Sequence, residues 1–231
     1  MKRVALITGA SRGLGLALAV ALADRRWTLL LDARGADALA AATASLAERT
    51  EVVAIPGDVS DPEHRLALAH AAHSLGGLDL LVNNAAILGA MSRPRLLDYP
   101  LDELERVWRV NALAPLALIQ ALKDHFKPKP TIINVSSDAA PDSYEEWGGY
   151  GSSKALLDHM SATLALENPH WRIFWVDPGE MRTRLFQESY PDENLNYLYP
   201  PEVSVPGFLE LIEGNAPSGR YLAQKELLEL S

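Results

Sequence analysis

The sequence predicts one α/β domain, a doubly wound sheet of six to seven mostly parallel strands with helices on both faces. Three observations carry this. Short apolar runs alternate with helix-length segments along the chain, the pattern of successive βα units. The runs are almost unbroken in Val, Ile and Leu, as strands buried on both faces require. A glycine-containing loop joins the first run directly to the first helix. With 231 residues, 48% of them hydrophobic and 22% charged, the chain is long enough for one such core, and residues 1–231 are read as a single domain.

The elements follow in order. Strands are predicted at residues 4–8, 28–33, 52–56, 78–82, 131–136, 172–176 and, most weakly patterned, 220–223. Helices are predicted at 13–25, 36–49, 61–75, 101–125, 148–168 and 202–212. The start of the third helix is written chemically: Asp61-Pro62-Glu63 supplies a cap, a first-turn proline and a first-turn acid. Loops are predicted at 86–100, 138–147 and 180–201, the last rich in Pro, Asn, Asp and Tyr. All three follow the carboxyl ends of strands, where open α/β sheets place their ligand crevice, and they are the expected substrate loops.

Charge and composition narrow the function. A net charge of −9 argues against a nucleic-acid partner or an anionic membrane surface, both of which need a basic face. Within residues 1–35, however, Lys2, Arg3, Arg12, Arg25, Arg26 and Arg34 outnumber Asp24 and Asp32, a local balance suited to one phosphorylated ligand. The absence of Cys removes disulfides, thiolate nucleophiles and Cys-ligated zinc, and agrees with a reducing cytoplasm. His70 and His73 stand at helical spacing without a third ligand, so no metal is expected. Lys2-Arg3 and the apolar residues after them do not make a signal peptide, because Arg12 interrupts the run, and the later run 16–23 is too short to span a bilayer. A cytoplasmic protein is expected.

After the first strand comes Thr8-Gly9-Ala10-Ser11-Arg12-Gly13-Leu14-Gly15, opening an Ala-rich helix. Glycine permits positive φ and lets phosphate approach backbone N–H groups at a helix N-terminus. Further on stand Asp58-Val59, Asn83-Asn84-Ala85-Ala86, Tyr150-Gly151-Ser152-Ser153-Lys154 and Asp177-Pro178-Gly179-Glu180-Met181-Arg182-Thr183. These motifs, in this order over residues 2–222, resemble the short-chain dehydrogenase/reductase family, whose fold is of Rossmann type. The resemblance implies that Gly9, Ser11, Arg12, Gly13, Leu14 and Gly15 cradle a dinucleotide. By the same resemblance Asp58 and Val59 contact adenine, while Asn84, Ala85, Pro178, Gly179, Met181 and Thr183 flank the nicotinamide.

Tyr150 and Lys154 lie four apart, on one helix face. A phenol with an ordinary pKa of about 10 needs neighbouring positive charge before it can exchange protons near neutrality, and Lys154 is the expected source. Tyr150 is then the general acid for reduction and the base for oxidation. Ser137, thirteen residues earlier, matches the family's substrate-orienting serine in preference to Ser136, since adjacent strand residues face opposite ways. The resemblance gives Asn111 a catalytic water to hold; a buried amide that satisfies backbone groups is the competing role. Tyr150 and Lys154 would also touch the cofactor.

The family implies hydride exchange between a nicotinamide and a small carbonyl or alcohol substrate. NAD readers place an acid at the end of the second strand, and NADP readers an arginine. Here Ala33 takes the acid's position, Arg34 follows, and Asp32 falls one residue early, on the opposite strand face. Arg12 and Arg34 favour NADP, with Asp32 the argument for NAD. The substrate loops carry Tyr144, Trp147, Met181, Phe186 and Tyr190, which either line an apolar pocket or cover the core, and an acidic rim of Asp138, Asp142, Glu145 and Glu146 that would disfavour anionic substrates. The alternative function is a noncatalytic NADP-binding sensor or scaffold, for which loss of one of Asn111, Ser137, Tyr150 or Lys154 would be expected. The long apolar helices resemble those that pair in family homodimers and homotetramers.

Overall fold

The computed structural model describes residues 2–91 and 93–224. Seven strands form one sheet in the order β3-β2-β1-β4-β5-β6-β7, every pairing parallel. They are β1 (Val4–Ile7), β2 (Thr28–Ala33), β3 (Val52–Pro56), β4 (Leu78–Asn83), β5 (Phe126–Val135), β6 (Arg172–Asp177) and β7 (Gly219–Leu222). The helices are α1 (Gly13–Asp24), α2 (Ala36–Ala47), α3 (Pro62–Ser74), α4 (Leu101–Trp108), α5 (Ala114–Leu122), α6 (Gly148–Glu167), α7 (Arg184–Ser189) and α8 (Val205–Glu213). The doubly wound fold expected from the alternating pattern is the one observed.

Strand alternation divides the interior into two apolar layers. Ala5, Ile7, Leu29, Leu31, Val82, Ile133 and Phe174 pack against α1, α2 and α8. Val4, Leu6, Leu30, Leu81, Ile132 and Ile173 pack against α3 and α5. Residues two apart in a strand share a face, yet Leu78 and Leu80 lie in opposite layers, because the pairing of β4 with β5 shifts register between them. No helix among the described residues is long and apolar enough to cross a membrane.

Several expectations change, among them the loop 86–100, which contains a 3₁₀ turn at Leu96–Asp98, and the helix expected over 202–212, which opens as a 3₁₀ turn at Pro201–Ser204. The helix expected over 101–125 is α4 and α5 joined by a π turn, Arg109–Leu113. Pro115 lacks the N–H that Asn111's carbonyl would accept from in an α-helix, and the chain widens so that Ala114 N–H reaches Arg109 O. The segment 180–201, expected as loop, contains α7 and a 3₁₀ turn, Leu195–Tyr197; Thr183 caps α7 by accepting from Phe186 N–H at 3.2 Å. Finally, β5 begins at Phe126, five residues before the expected start, and Lys129 takes a φ of 60° within this irregular entry. Asp61 caps α3 as expected, accepting from Glu63 N–H at 2.9 Å.

Candidate active site

The order of the sheet reverses at β1 and β4, and the loops leaving those two strands part there to open a crevice. A cleft of about 780 Å³ runs along this carboxyl edge. Its floor is the glycine loop. Gly9 and Gly13 have φ of +66° and +55°, which side-chain-bearing residues rarely adopt. Gly15 works by closeness instead: a Cβ there would stand 2.5 Å from Gly9 O and 2.6 Å from Asn84 Nδ2. The N-terminus of α1 has no side-chain cap and no acid in its first turn, so its backbone donors face the cleft unopposed.

The loop after β4 is pinned to the glycine loop by a residue to which sequence reasoning assigns no role. Thr8 Oγ1 accepts from Asn84 N–H and Ala85 N–H, each at 3.0 Å, and Asn84 Nδ2 donates back to Thr8 O at 2.8 Å. A nearly inaccessible hydroxyl at a strand end must find partners, and that is the signal that points to Thr8. Asn83 turns the other way, donating to Asn134 Oδ1 at 2.8 Å, and Asn134 Nδ2 in turn donates to Ser161 on α6. Ala86, where the family has Gly, is not among the residues with positive φ, so the turn accepts a side chain.

Of the expected cofactor-contacting residues, Gly9, Ser11, Arg12, Gly13, Leu14, Arg34, Asp58, Val59, Asn84, Ala85, Tyr150, Lys154, Pro178, Met181 and Thr183 line the cleft. Gly15 and Gly179 do not. Gly179, at φ +75°, forms a turn closed by its N–H to Asp177 Oδ1 at 3.0 Å, which sets the direction of the chain toward Met181. The Asp58 carboxyl sits below its ordinary range: burial pushes it up, but bonds from Ser60 and the Arg34 charge outweigh that.

Tyr150 and Lys154 project from the first turns of α6. That helix can start close to its surroundings because it opens on glycines: a Cβ on Gly149 would lie 2.4 Å from the Tyr99 ring. Lys154 Nζ is 5.5 Å from the centre of the Tyr150 ring and donates to Val135 O at 2.7 Å. Burial brings the Lys154 ammonium down to about 8 despite the opposing pull of Asp158 and Asp177. Burial pushes the Tyr150 phenol well above its ordinary value, reinforced by the negative charges of Asp138 and Asp177 and opposed by a hydrogen bond with Ser137.

The two serines after β5 have different partners. Ser137 meets Tyr150 and donates to Asp138 Oδ1 at 2.8 Å, whereas Ser136 is turned toward Asp158. Ser137 itself sits beside the cleft, whereas Ser136, the serine not expected to face the site, is in its wall. Asn111 also stays out of the cleft: its Oδ1 accepts from Ile87 N–H, and its Nδ2 donates to Ile87 O and to Ser153 Oγ, all at 2.9–3.0 Å. Its amide is therefore engaged by the loop after β4 and by α6.

Met181 alone of the five expected pocket residues lines the cleft. The Tyr190 ring packs, tilted, against both Trp147 and Phe186, with the Arg93 guanidinium 5.0 and 4.5 Å from the rings of Trp147 and Tyr190. Tyr144 is exposed. The acidic rim is exposed as well, with Glu145 paired to Arg95 at 3.0 Å. Among the described residues no group of side chains could hold a metal ion.

Residues 3–194 match the family model for short chain dehydrogenases. The rhamnolipids biosynthesis 3-oxoacyl-[acyl-carrier-protein] reductase of Pseudomonas aeruginosa is 30% identical, over 99% of this chain and 87% of its own. Bovine (Bos taurus) sepiapterin reductase is 31% identical, over 84% and 79%. Among solved structures, an alcohol dehydrogenase from the archaeon Thermococcus sibiricus complexed with 5-hydroxy-NADP superposes with a TM-score of 0.86 at 28% identity, covering 96% of both chains. Fold, motif order and these likenesses together establish that the chain belongs to the short-chain dehydrogenase/reductase family.

Proposed function

We propose that the chain is an NADP-dependent oxidoreductase that interconverts a small carbonyl compound and its alcohol, with Tyr150 as the proton-transferring group. The observation that carries this reading is the convergence of the glycine cradle, Arg12, Arg34, Tyr150 and Lys154 on one cleft. The residues present fit a dinucleotide: Gly9 and Gly13 give the loop a backbone that side-chain-bearing residues rarely adopt, and α1 presents an uncapped N-terminus to a diphosphate. Arg12 and Arg34 suit the additional ribose phosphate of NADP, and the NADP analogue in the Thermococcus relative supports the same choice.

The cofactor, when bound, supplies or accepts the hydride. The chain's own residues manage the oxygen and its proton. Burial and the acids Asp138 and Asp177 keep Tyr150 protonated at neutral pH, the state that donates to a carbonyl oxygen. Ser137, bonded to Tyr150, would turn its one hydroxyl proton from Asp138 to that same oxygen as negative charge develops on it. Lys154, charged below about pH 8, provides positive potential beside the phenol. We read Asn111 as a positioning residue that locks the loop after β4 to α6. The exposed Leu101, Leu113 and Leu166 on α4, the π turn and α6 would seat a second copy in a homodimer or homotetramer.

The test is a panel of neutral aldehydes and ketones followed by NADPH absorbance, together with dissociation constants for NADPH and NADH. Turnover of at least one neutral carbonyl and tighter binding of NADPH are expected. Tighter NADH binding would overturn the cofactor assignment, and NADPH binding without turnover across the panel would favour the scaffold reading.

A further inference from the structure

The far end of the cleft holds a buried, hydrogen-bonded carboxyl–imidazole pair that the proton chemistry leaves unused. Asp32, at the end of β2, and His64, on α3, are 1% and 8% exposed, and His64 Nε2 is 2.6 Å from Asp32 Oδ1. The carboxylate also accepts from Gly9 N–H, and the Asp32 carbonyl accepts from Ala10 N–H at 2.9 Å, so one residue ties α3 to the glycine loop. The imidazole packs closely on Gly57, where a Cβ would stand 2.2 Å from His64 Nδ1. Arg12, Arg34, Asp58 and Asp32 itself line this end of the cleft.

We propose that His64 is a positioning residue for cofactor choice: by holding the Asp32 carboxylate in a buried pair it screens that charge from the cleft, leaving Arg12 and Arg34 to receive a phosphate monoester. The proposal rests on the reading of the cleft as a dinucleotide site. A phosphate monoester carries about −1.5 to −2 charges at neutral pH and a ribose hydroxyl none, so an unscreened carboxylate would repel NADPH and leave NADH almost unaffected. Asp32 thus brings an acid to the cleft one residue before the position from which an acid selects NAD, and its partner on α3 keeps that charge from acting on the nucleotide. Arginine and Asp58 charges are common to both nucleotides' surroundings and do not change between the variants below.

Dissociation constants for NADPH and NADH, measured by titration calorimetry at pH 7.5 on the full chain, test this directly. His64→Leu is expected to reduce the preference for NADPH about tenfold or more, with NADH binding changed less than about threefold. His64→Gln, which keeps a donor toward Asp32, should retain most of the preference. Adding Asp32→Asn to His64→Leu should restore it. Equal weakening of both nucleotides, the signature of a merely structural role, or failure of the double variant to restore the preference would overturn the proposal. Asp32→Asn alone is a milder probe that preserves the shape of the pair. It should leave the preference within about threefold, and a gain above tenfold would mean that the native carboxylate is not screened, also overturning the proposal. If the wild-type protein bound neither nucleotide, the dinucleotide reading would fall and this role with it; tight NADPH binding with an unmoved preference in His64→Leu would remove only the role of His64.

Discussion

Replacing Lys154 by Met should make the protein more stable while removing its activity. The lysine is 2% exposed, and burial lowers its ammonium from an ordinary 10.5 to about 8. Between these values the unfolded chain holds the proton more strongly than the native one, so wild-type stability rises as pH climbs through that window and the full penalty applies below about pH 8. At 1.36 kcal/mol per unit, the penalty is about 3 kcal/mol at pH 7 and about 1 kcal/mol at pH 10. Methionine matches the length of the stem but gives up the bond to Val135 O at 2.7 Å, a loss of about 1 kcal/mol. The net gain is about 2 kcal/mol at pH 7, or roughly 4 to 8 °C in Tm for a chain of this size, and near zero at pH 10. Thermal melts of both proteins at the two pH values decide the matter. A Met variant no more stable than wild type at pH 7, or one with the same advantage at pH 10, would refute the buried-charge reasoning.

Gly15→Ala drives a methyl to 2.5 Å from Gly9 O, a backbone atom that cannot swing aside, so the variant should lose about 2 kcal/mol or more in denaturant unfolding and bind NADPH at least tenfold more weakly by calorimetry. Thr8→Val conserves shape but leaves the amides of Asn84 and Ala85 without their shared acceptor; a stability loss of about 2 to 3 kcal/mol in urea unfolding is expected, with faster amide hydrogen exchange at those two positions.

Elements were legible in the sequence wherever burial on both faces made the pattern dense. The runs around Leu29–Leu31 and Leu80–Val82 admit no other reading than interior strands, and both lie in the sheet where expected. The helix over 101–125 misled because its composition is helical throughout, and only the missing amide of Pro115 shows that the ladder must change near Asn111. For the site, short-range motifs carried far: Tyr150 and Lys154 come together because four residues make one helical turn. The fate of side chains whose partners are distant in the chain did not show. Asp32 reads as a free acid until His64, 32 residues later, is seen against it. Likewise the backbone of Ile87, which engages the Asn111 amide, lies 24 residues before it, so local sequence could not choose between the two roles open to Asn111. Of the loop residues weighed as pocket lining only Met181 reaches the cleft, and the packing of Tyr190 against Trp147 and Phe186 beside Arg93 is a matter of tertiary structure that no local pattern encodes.

The central claim is that Tyr150 delivers the proton within an intact NADPH site. Its most direct measurement pairs turnover of the best carbonyl substrate with the NADPH dissociation constant in wild type and Tyr150→Phe. A loss of turnover of roughly 100-fold or more, the scale of general acid catalysis, is expected, with NADPH affinity held within about threefold. A Phe variant that kept wild-type turnover would contradict it.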